Sequence, residues 1–332
     1  MIIESRNVPK RSDKPIISTF YNRYNNCVVV FYCRYNVCTY YHKSQSGVNV
    51  MKFAMYTYFG GLVRDFGFEE ALKKAKAIGF SGVEIIDFTI SLDKTSDSPI
   101  KTAKKYREMA EREGMPIVCY SVGVSLYKAP EVTEALKLHA EVAAALGSPF
   151  LHHTLCLGSA GGAGYEDVLA DVLPRAIEVA DYAKKLGITC IYEDQGMYFN
   201  GVEGYGKFFN AIKQRCDNVG ICCDFGNILF ADCGAPEFID AFHNDIKHVH
   251  FKDYLILKEK DDREGRWHTT KQGDYLLGMP TGQGSVDFKK GFELLKRAGY
   301  DGFVSAEQEL DFPEPFITDT KQAMVYLNGL FE

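Results

Sequence analysis

From residue 51 onward, short runs of β-branched and aromatic residues alternate with longer stretches in which apolar residues return every three or four positions. The first period is that of buried strands and the second that of amphipathic helices. Eight such pairs can be counted, with strands expected at 53–59, 82–87, 115–121, 149–154, 188–193, 219–224, 246–251 and 302–307. The intervening helical patterns include 68–80, 131–147 and 166–187. Gly79, Gly187 and Gly299 each stand between a helical run and the next strand, where a glycine can end a helix in the left-handed conformation. Strand, helix and strand in regular succession imply parallel pairing. Eight units over residues 51–332 predict a single (β/α)8 TIM barrel, whereas an open doubly wound sheet would have fewer strands and a glycine-rich first turn. The first turn, 59–68, has no GxGxxG.

The first fifty residues break this pattern. They hold seven Lys or Arg against two acidic residues, a Tyr/Asn/Cys-rich stretch at 21–41 and one glycine, Gly47. Residues 1–50 are therefore expected to be an N-terminal extension, disordered or outside the natural barrel, with Met51 opening the folded unit. A short strand at 27–33 that pairs in trans is the competing expectation.

Composition narrows the function. The net charge of -6 lacks the basic excess that phosphate backbones require, so no nucleic-acid partner is expected. Ten cysteines, at 27, 33, 38, 119, 156, 190, 216, 222, 223 and 233, form no CxxC pair and sit mostly in apolar runs. They read as reduced thiols of a cytoplasmic protein. The longest apolar run, 27–33, is too short to cross a bilayer, and the start lacks a signal-type core, so no membrane partner is expected.

Barrel enzymes carry their reactive groups at the C-terminal ends of strands. Four expected strands end in, or carry near their ends, a metal-binding side chain: Glu193, Asp224, His250 and Glu307. Three carboxylates and one imidazole suit one divalent ion, Mn2+ first, with Mg2+, Co2+ or Zn2+ as alternatives. The strand ends carry no thiolate, which argues against a closed structural zinc site. An ion clamped to adjacent oxygens of a ketose acidifies the neighbouring C–H and stabilises the resulting enediolate. Glu193 and Glu307, on strands five and eight, can flank a sugar and serve as the acid/base pair as well as ligands. Any one of these residues alone would more often be a solvated strand-end group; the set of four carries the expectation.

These residues, in the segments IYED (191–194), CDFGN (223–227), HVHFKD (248–253), TGQGSVDF (281–288) and DGFVSAE (301–307), resemble the sugar phosphate isomerase/epimerase superfamily of xylose-isomerase-like barrels. The resemblance covers about 52–330. It implies a Glu-Asp-His-Glu metal site at Glu193, Asp224, His250 and Glu307, and a metal-dependent isomerase or epimerase in which the two glutamates move protons. Nuclease members of the superfamily and ketose 3-epimerases carry a histidine where this chain has Asn227, which argues against a trinuclear nuclease. The catalytic subunits of C-glycoside-cleaving enzymes are a second group of relatives. They imply an alternative reading, a lyase with a histidine base and a small partner subunit. A sugar-binding scaffold without catalysis is the non-enzymatic alternative.

Other features bear on substrate. Of His152 and His153, on expected strand four, alternation sends one into the barrel and one toward the helices, and sequence does not say which. Either could be catalytic or a hydrogen-bonded wall residue. The loop 253–284 is long for a connector, and Arg266, Trp267 and His268 within it are candidate substrate contacts, with a solvated or oligomer-contacting loop as the alternative. Asn227, Lys252 and Asp253 are further candidates, as are Glu84 and Asp87, for which structural ion pairing is an equal reading. The glycine cluster 158–164 is expected to be a flexible lid. The expected partners are a small sugar or glycoside and further copies of the chain, since such barrels commonly self-associate.

Overall fold

The computed structural model describes residues 16–22, 27–34, 37–44, 51–308 and 316–330, with side chains described over 51–308 and 320–330. The chain divides into two units, Met1–Asn49 and Val50–Glu332. In the first, β1 (Ile16–Asn22), β2 (Cys27–Arg34) and β3 (Val37–Ser44) form an antiparallel sheet in the order β1-β2-β3. The strand expected at 27–33 is thus β2, paired within this chain. The expectation of an extension that is disordered or outside the natural barrel spans all of residues 1–50, of which 1–15, 23–26, 35–36 and 45–50 lie outside the described residues.

The second unit is a closed parallel barrel of β4 (Lys52–Met55), β5 (Gly82–Ile86), β6 (Ile117–Val122), β7 (Phe150–His153), β8 (Thr189–Glu193), β9 (Val219–Asp224), β10 (Ile246–Phe251) and β14 (Phe303–Ala306). All eight expected strands are present. Around them run α1 (Thr57–Phe66), α2 (Phe68–Ile78), α3 (Pro99–Glu113), α4 (Pro130–Leu146), α5 (Tyr165–Lys185), α6 (Gly201–Lys213), α7 (Ala235–Phe242), α8 (Phe288–Arg297) and α9 (Phe316–Gly329). Gly79, Gly187 and Gly299 all have φ between 73 and 116°, the left-handed conformation expected where helix gives way to strand. Among the described residues no helix is long and apolar enough to cross a membrane.

The first strand is shorter than its sequence suggests. Residues 53–59 are apolar or aromatic but for Thr57, yet the strand ends at Met55 and α1 begins at Thr57, because Tyr58, Phe59, Leu62 and Val63 form one buried helical face. Between β10 and β14 the chain inserts β11 (Asp253–Leu257), β12 (Trp267–Thr269) and β13 (Tyr275–Met279), an antiparallel sheet in the order β11-β13-β12. This sheet accounts for most of the long expected loop.

Strand alternation divides the core into two layers. Outward residues such as Val83, Leu151, Tyr192, Cys223 and Val249 pack with the helices. Ala54, Cys119, Ile191 and Cys222 form a smaller cluster, with Phe150 and Phe303 against it, that fills the barrel interior. Above that floor the inward side chains turn polar: Glu84, Ser121, His152, Glu193, Asp224, His250 and Ser305 are all buried.

Candidate metal centre

Glu193 and Asp224 are the last residues of β8 and β9, His250 is the penultimate residue of β10, and Glu307 directly follows β14. Parallel register places His250 beside Asp224 on one side and Ser305 on the other, so strand pairing itself gathers the four. Their potential ligand atoms all lie within 4.8 Å of one another. His250 Nδ1 is 3.0 Å from Glu193 Oε1 and 2.8 Å from Glu307 Oε2.

The other face of His250 fixes its tautomer. Nε2 lies 3.0 and 3.1 Å from the two carboxylate oxygens of Glu84 on β5. A carboxylate only accepts, so Nε2 carries a proton; the acidic groups around the ring hold its pKa well above the usual value against burial, so without an ion Nδ1 carries one too, and only a bound cation would leave Nδ1 a lone pair facing Glu193 and Glu307. Asp224 Oδ2 and Glu307 Oε2 are buried without a hydrogen-bond partner among the described residues. Donor atoms from an imidazole and three carboxylates thus converge on one point and share protons that a divalent cation would displace. The residues fit the ion expected from sequence.

Glu84 is itself held in place. It accepts from Ser121 Oγ at 2.5 Å and from His248 Nε2 at 2.8 Å, and is fully buried. Burial would raise its pKa, but the charges of His250 and His248 outweigh that and hold it well below the usual carboxylate range. Sequence inspection left Glu84 as an ion-pairing candidate and passed over His248 and Ser121. The available signal was alternation, which puts all three on the inward face.

The two glutamates have opposite environments. Burial, reinforced by the charge of Glu307, pushes Glu193 up to about 8. Glu307 is also raised by burial, but the Lys252 ammonium and then His250 outweigh it and hold it low. Lys252 is buried, its Nζ 2.5 Å from Glu307 Oε1 and 3.3 Å from Asp224 Oδ2. Its stem crosses the backbone at Gly226, where any Cβ would collide with it. The other oxygen of Asp224 accepts from the backbone N–H of Gly226 and Asn227 at 2.6 and 2.8 Å. The Asp224 N–H donates to buried Asp194 Oδ1 at 2.8 Å, a support that sequence inspection missed.

His152 and His153 part as alternation requires. His152 faces inward, with Nδ1 3.1 Å from Ser121 Oγ and Nε2 3.8 Å from Glu193 Oε2. Ser121 gives its proton to Glu84, so its oxygen accepts from His152 Nδ1–H and leaves the His152 Nε2 lone pair facing the centre. Burial and the charge of His250 lower the His152 pKa to about 3. His153 points away, its ring edge-on to Tyr192 at 5.1 Å and Nδ1 3.1 Å from the Thr154 carbonyl. The expectation that His153 contributes to catalysis is corrected on this geometry.

Other expected contacts separate as well. The Asp253 carboxylate accepts from the backbone N–H of Gly282, Gly284 and Val286 at 2.8 to 3.2 Å, so it anchors the 281–286 turn rather than reaching substrate. Asn227 is buried and its Nδ2 has no partner among the described residues. Arg266 is exposed. Trp267 packs edge-on to Tyr275, and His268 packs against Phe230 and Tyr254. The glycine cluster expected as a lid is tied down by Tyr198, whose hydroxyl donates to the carbonyls of Ser159 and Ala163. Asp87 begins the turn after β5 and lines a separate cavity of about 690 Å³ with Tyr120 and His139.

The sequence profile of the xylose isomerase-like TIM barrel family matches residues 72–327. Among curated proteins, the inosose dehydratase of Lacticaseibacillus casei is 31% identical over 136 residues, 40% of this chain and 44% of that protein. The inosose dehydratase of Geobacillus thermodenitrificans is 28% identical over 156 residues, 45% of this chain and 50% of that protein. The chain thus spans about half the length, or less, of these curated relatives. The barrel superimposes on the D-allulose 3-epimerase of Methylomonas sp. in complex with D-allulose, with a TM-score of 0.65, 16% identity and coverage of 84% of this chain and 96% of that one. It also superimposes on a xylose isomerase-like TIM barrel protein of Mycobacterium smegmatis in complex with magnesium, with a TM-score of 0.61, 16% identity and coverage of 86% and 98%.

Proposed function

This chain belongs to the xylose isomerase-like TIM barrel family, and we propose that it is a divalent-metal-dependent enzyme that removes the proton beside the carbonyl of a sugar or ring-shaped keto-polyol. The observation that carries this reading is the convergence of His250 Nδ1 with the carboxylates of Glu193, Asp224 and Glu307 at the C-terminal end of the barrel. A divalent cation held there, Mn2+ or Mg2+ by the oxygen-rich donor set, would polarise the carbonyl and stabilise the charge that builds on its oxygen.

The chain's own groups supply the proton steps. Glu193 and Glu307 project from β8 and from the end of β14, so each can address a different side of a bound ring and take or return a proton. Lys252, buried between Asp224 and Glu307, keeps a positive charge beside the developing anion. Asn227 Nδ2 offers a donor to a substrate hydroxyl.

Epimerases and dehydratases share this first step. They differ in whether the proton returns to the opposite face or a hydroxide leaves from the next carbon. The inosose dehydratase relatives favour elimination of water from a keto-cyclitol, and epimerisation of a ketose is the alternative supported by fold neighbours. A third reading, cleavage of an oxidised C-glycoside, is supported by the bare His152 Nε2, a base already aimed at the centre.

The test is proton exchange. Incubation of the Mn2+-loaded protein in D2O with keto-inositols, ketoses and a 3-oxo aryl C-glycoside, followed by NMR, should show deuterium entering beside the carbonyl. Loss of a β-hydroxyl identifies a dehydratase, inversion without loss an epimerase, and release of the aryl group the lyase. Absence of exchange and turnover across all three classes would contradict the proposal.

A further inference from the structure

The strand ends carry no thiol, but the floor beneath them does. Cys222 lies two residues before Asp224 on β9, and alternation turns it toward the same interior. Its Cα registers with Glu193 on β8 and with His248 on β10, so it sits one pleat below the level at which Asp224 pairs with His250. The thiol is fully buried. Ligand atoms of Glu193, Cys222 and His250 lie within 4.8 Å of one another, as close a group as the oxygen-rich set above it.

We propose that Cys222, His250 and Glu193 form a second coordination position that overlaps the first and takes a thiophilic divalent cation such as Cd2+ or Zn2+. This rests on the reading of His250 and Glu193 as metal ligands. The two positions share these residues and differ in the rest: the upper one adds the carboxylates of Asp224 and Glu307, the lower one a sulfur. Hard ions that prefer oxygen take the upper set, and soft ions that prefer thiolate settle lower. Binding in the lower position replaces the Sγ–H bond with a sulfur–metal bond and releases the proton to solvent. Such an ion withdraws His250 and Glu193 from the upper position. The fold thereby contains a site at which Cd2+ or Zn2+ competes with the working metal while being held by a different set of groups.

The discriminating measurement is the thiolate-to-cadmium charge-transfer absorption of the full chain titrated with Cd2+, compared with Cys222→Ala, Cys222→Ser and Asp224→Asn. The comparison is needed because the chain has other cysteines. The wild type should show one thiolate more per chain than either Cys222 variant, prior saturation with Mn2+ should suppress that increment, and both Cys222 variants should still bind Mn2+. Asp224→Asn should lose Mn2+ binding and keep the increment, since its carboxylate belongs only to the upper position. Identical spectra for the wild type and both Cys222 variants would overturn the proposal, as would an increment that Mn2+ does not suppress. A wild type that takes up no Mn2+ contradicts the upper centre instead, and its Cd2+ spectra then decide the lower position independently.

Discussion

Glu84 Oε1 on β5 lies 3.0 Å from His250 Nε2 on β10, and this contact across the barrel decides which nitrogen of His250 faces the three carboxylates. The same carboxylate holds Ser121 and His248, so it accepts from three buried donors at once. A glutamine at this position has one acceptor oxygen and would turn donors toward donors. Glu84→Gln is therefore expected to weaken Mn2+ binding by about 10- to 100-fold, as loss of a carboxylate behind a histidine ligand commonly does. Isothermal titration of the variant checks this, and unchanged affinity would show that the tautomer is set some other way.

Lys252 neutralises the space between Asp224 and Glu307 when no divalent ion is present. Lys252→Met keeps the stem that packs over Gly226 but leaves two buried carboxylates facing each other. The metal-free variant should lose about 3 kcal/mol of stability, the range found when one member of a buried ion pair is removed. Mn2+ should restore more of the melting temperature in the variant than in the wild type, because the ion replaces the missing charge. Thermal melts with and without Mn2+ measure both effects; equal stability of the metal-free proteins would contradict this role.

His153 supplies a pH dependence independent of the centre. Burial lowers its pKa from 6.5 to about 4 in the folded chain. As pH falls the unfolded chain takes up this proton first, so stability declines from about pH 6.5 down to about pH 4 and the contribution is constant below that. The full loss from this residue is about 3 kcal/mol. In His153→Gln, denaturant unfolding between pH 7 and 4.5 should show a shallower decline, by one proton, than in the wild type. Parallel profiles would mean that folding leaves the pKa of His153 unchanged.

The barrel is legible because its strands are short, mainly apolar runs and several of its helices give way to a glycine before the next strand, both local signals. The four candidate ligands were legible because each stands at or near a strand end. What sequence left open depended on facing. His152 and His153 are adjacent and chemically identical, and only the pleat distinguishes them. Asp253 reads as a substrate contact because it follows the His250 strand, yet its carboxylate closes on Gly282, Gly284 and Val286, a turn formed by residues 29 to 33 positions further along the chain. Cys222 read as a core thiol, which it is, and its proximity to Glu193 emerged only from the pairing of β8 with β9. The first expected strand runs past Met55 because a mainly apolar and aromatic run of seven residues suits a buried strand and a buried helix face equally.

The central claim is that Glu193, Asp224, His250 and Glu307 hold one divalent ion. Elemental analysis of the purified chain after Mn2+ loading and desalting, alongside Asp224→Asn and Glu307→Gln, tests it most directly. The account predicts about one equivalent per chain in the wild type, with stoichiometric binding lost in both variants. No retained Mn2+ in the wild type, or equal retention in all three proteins, would contradict it.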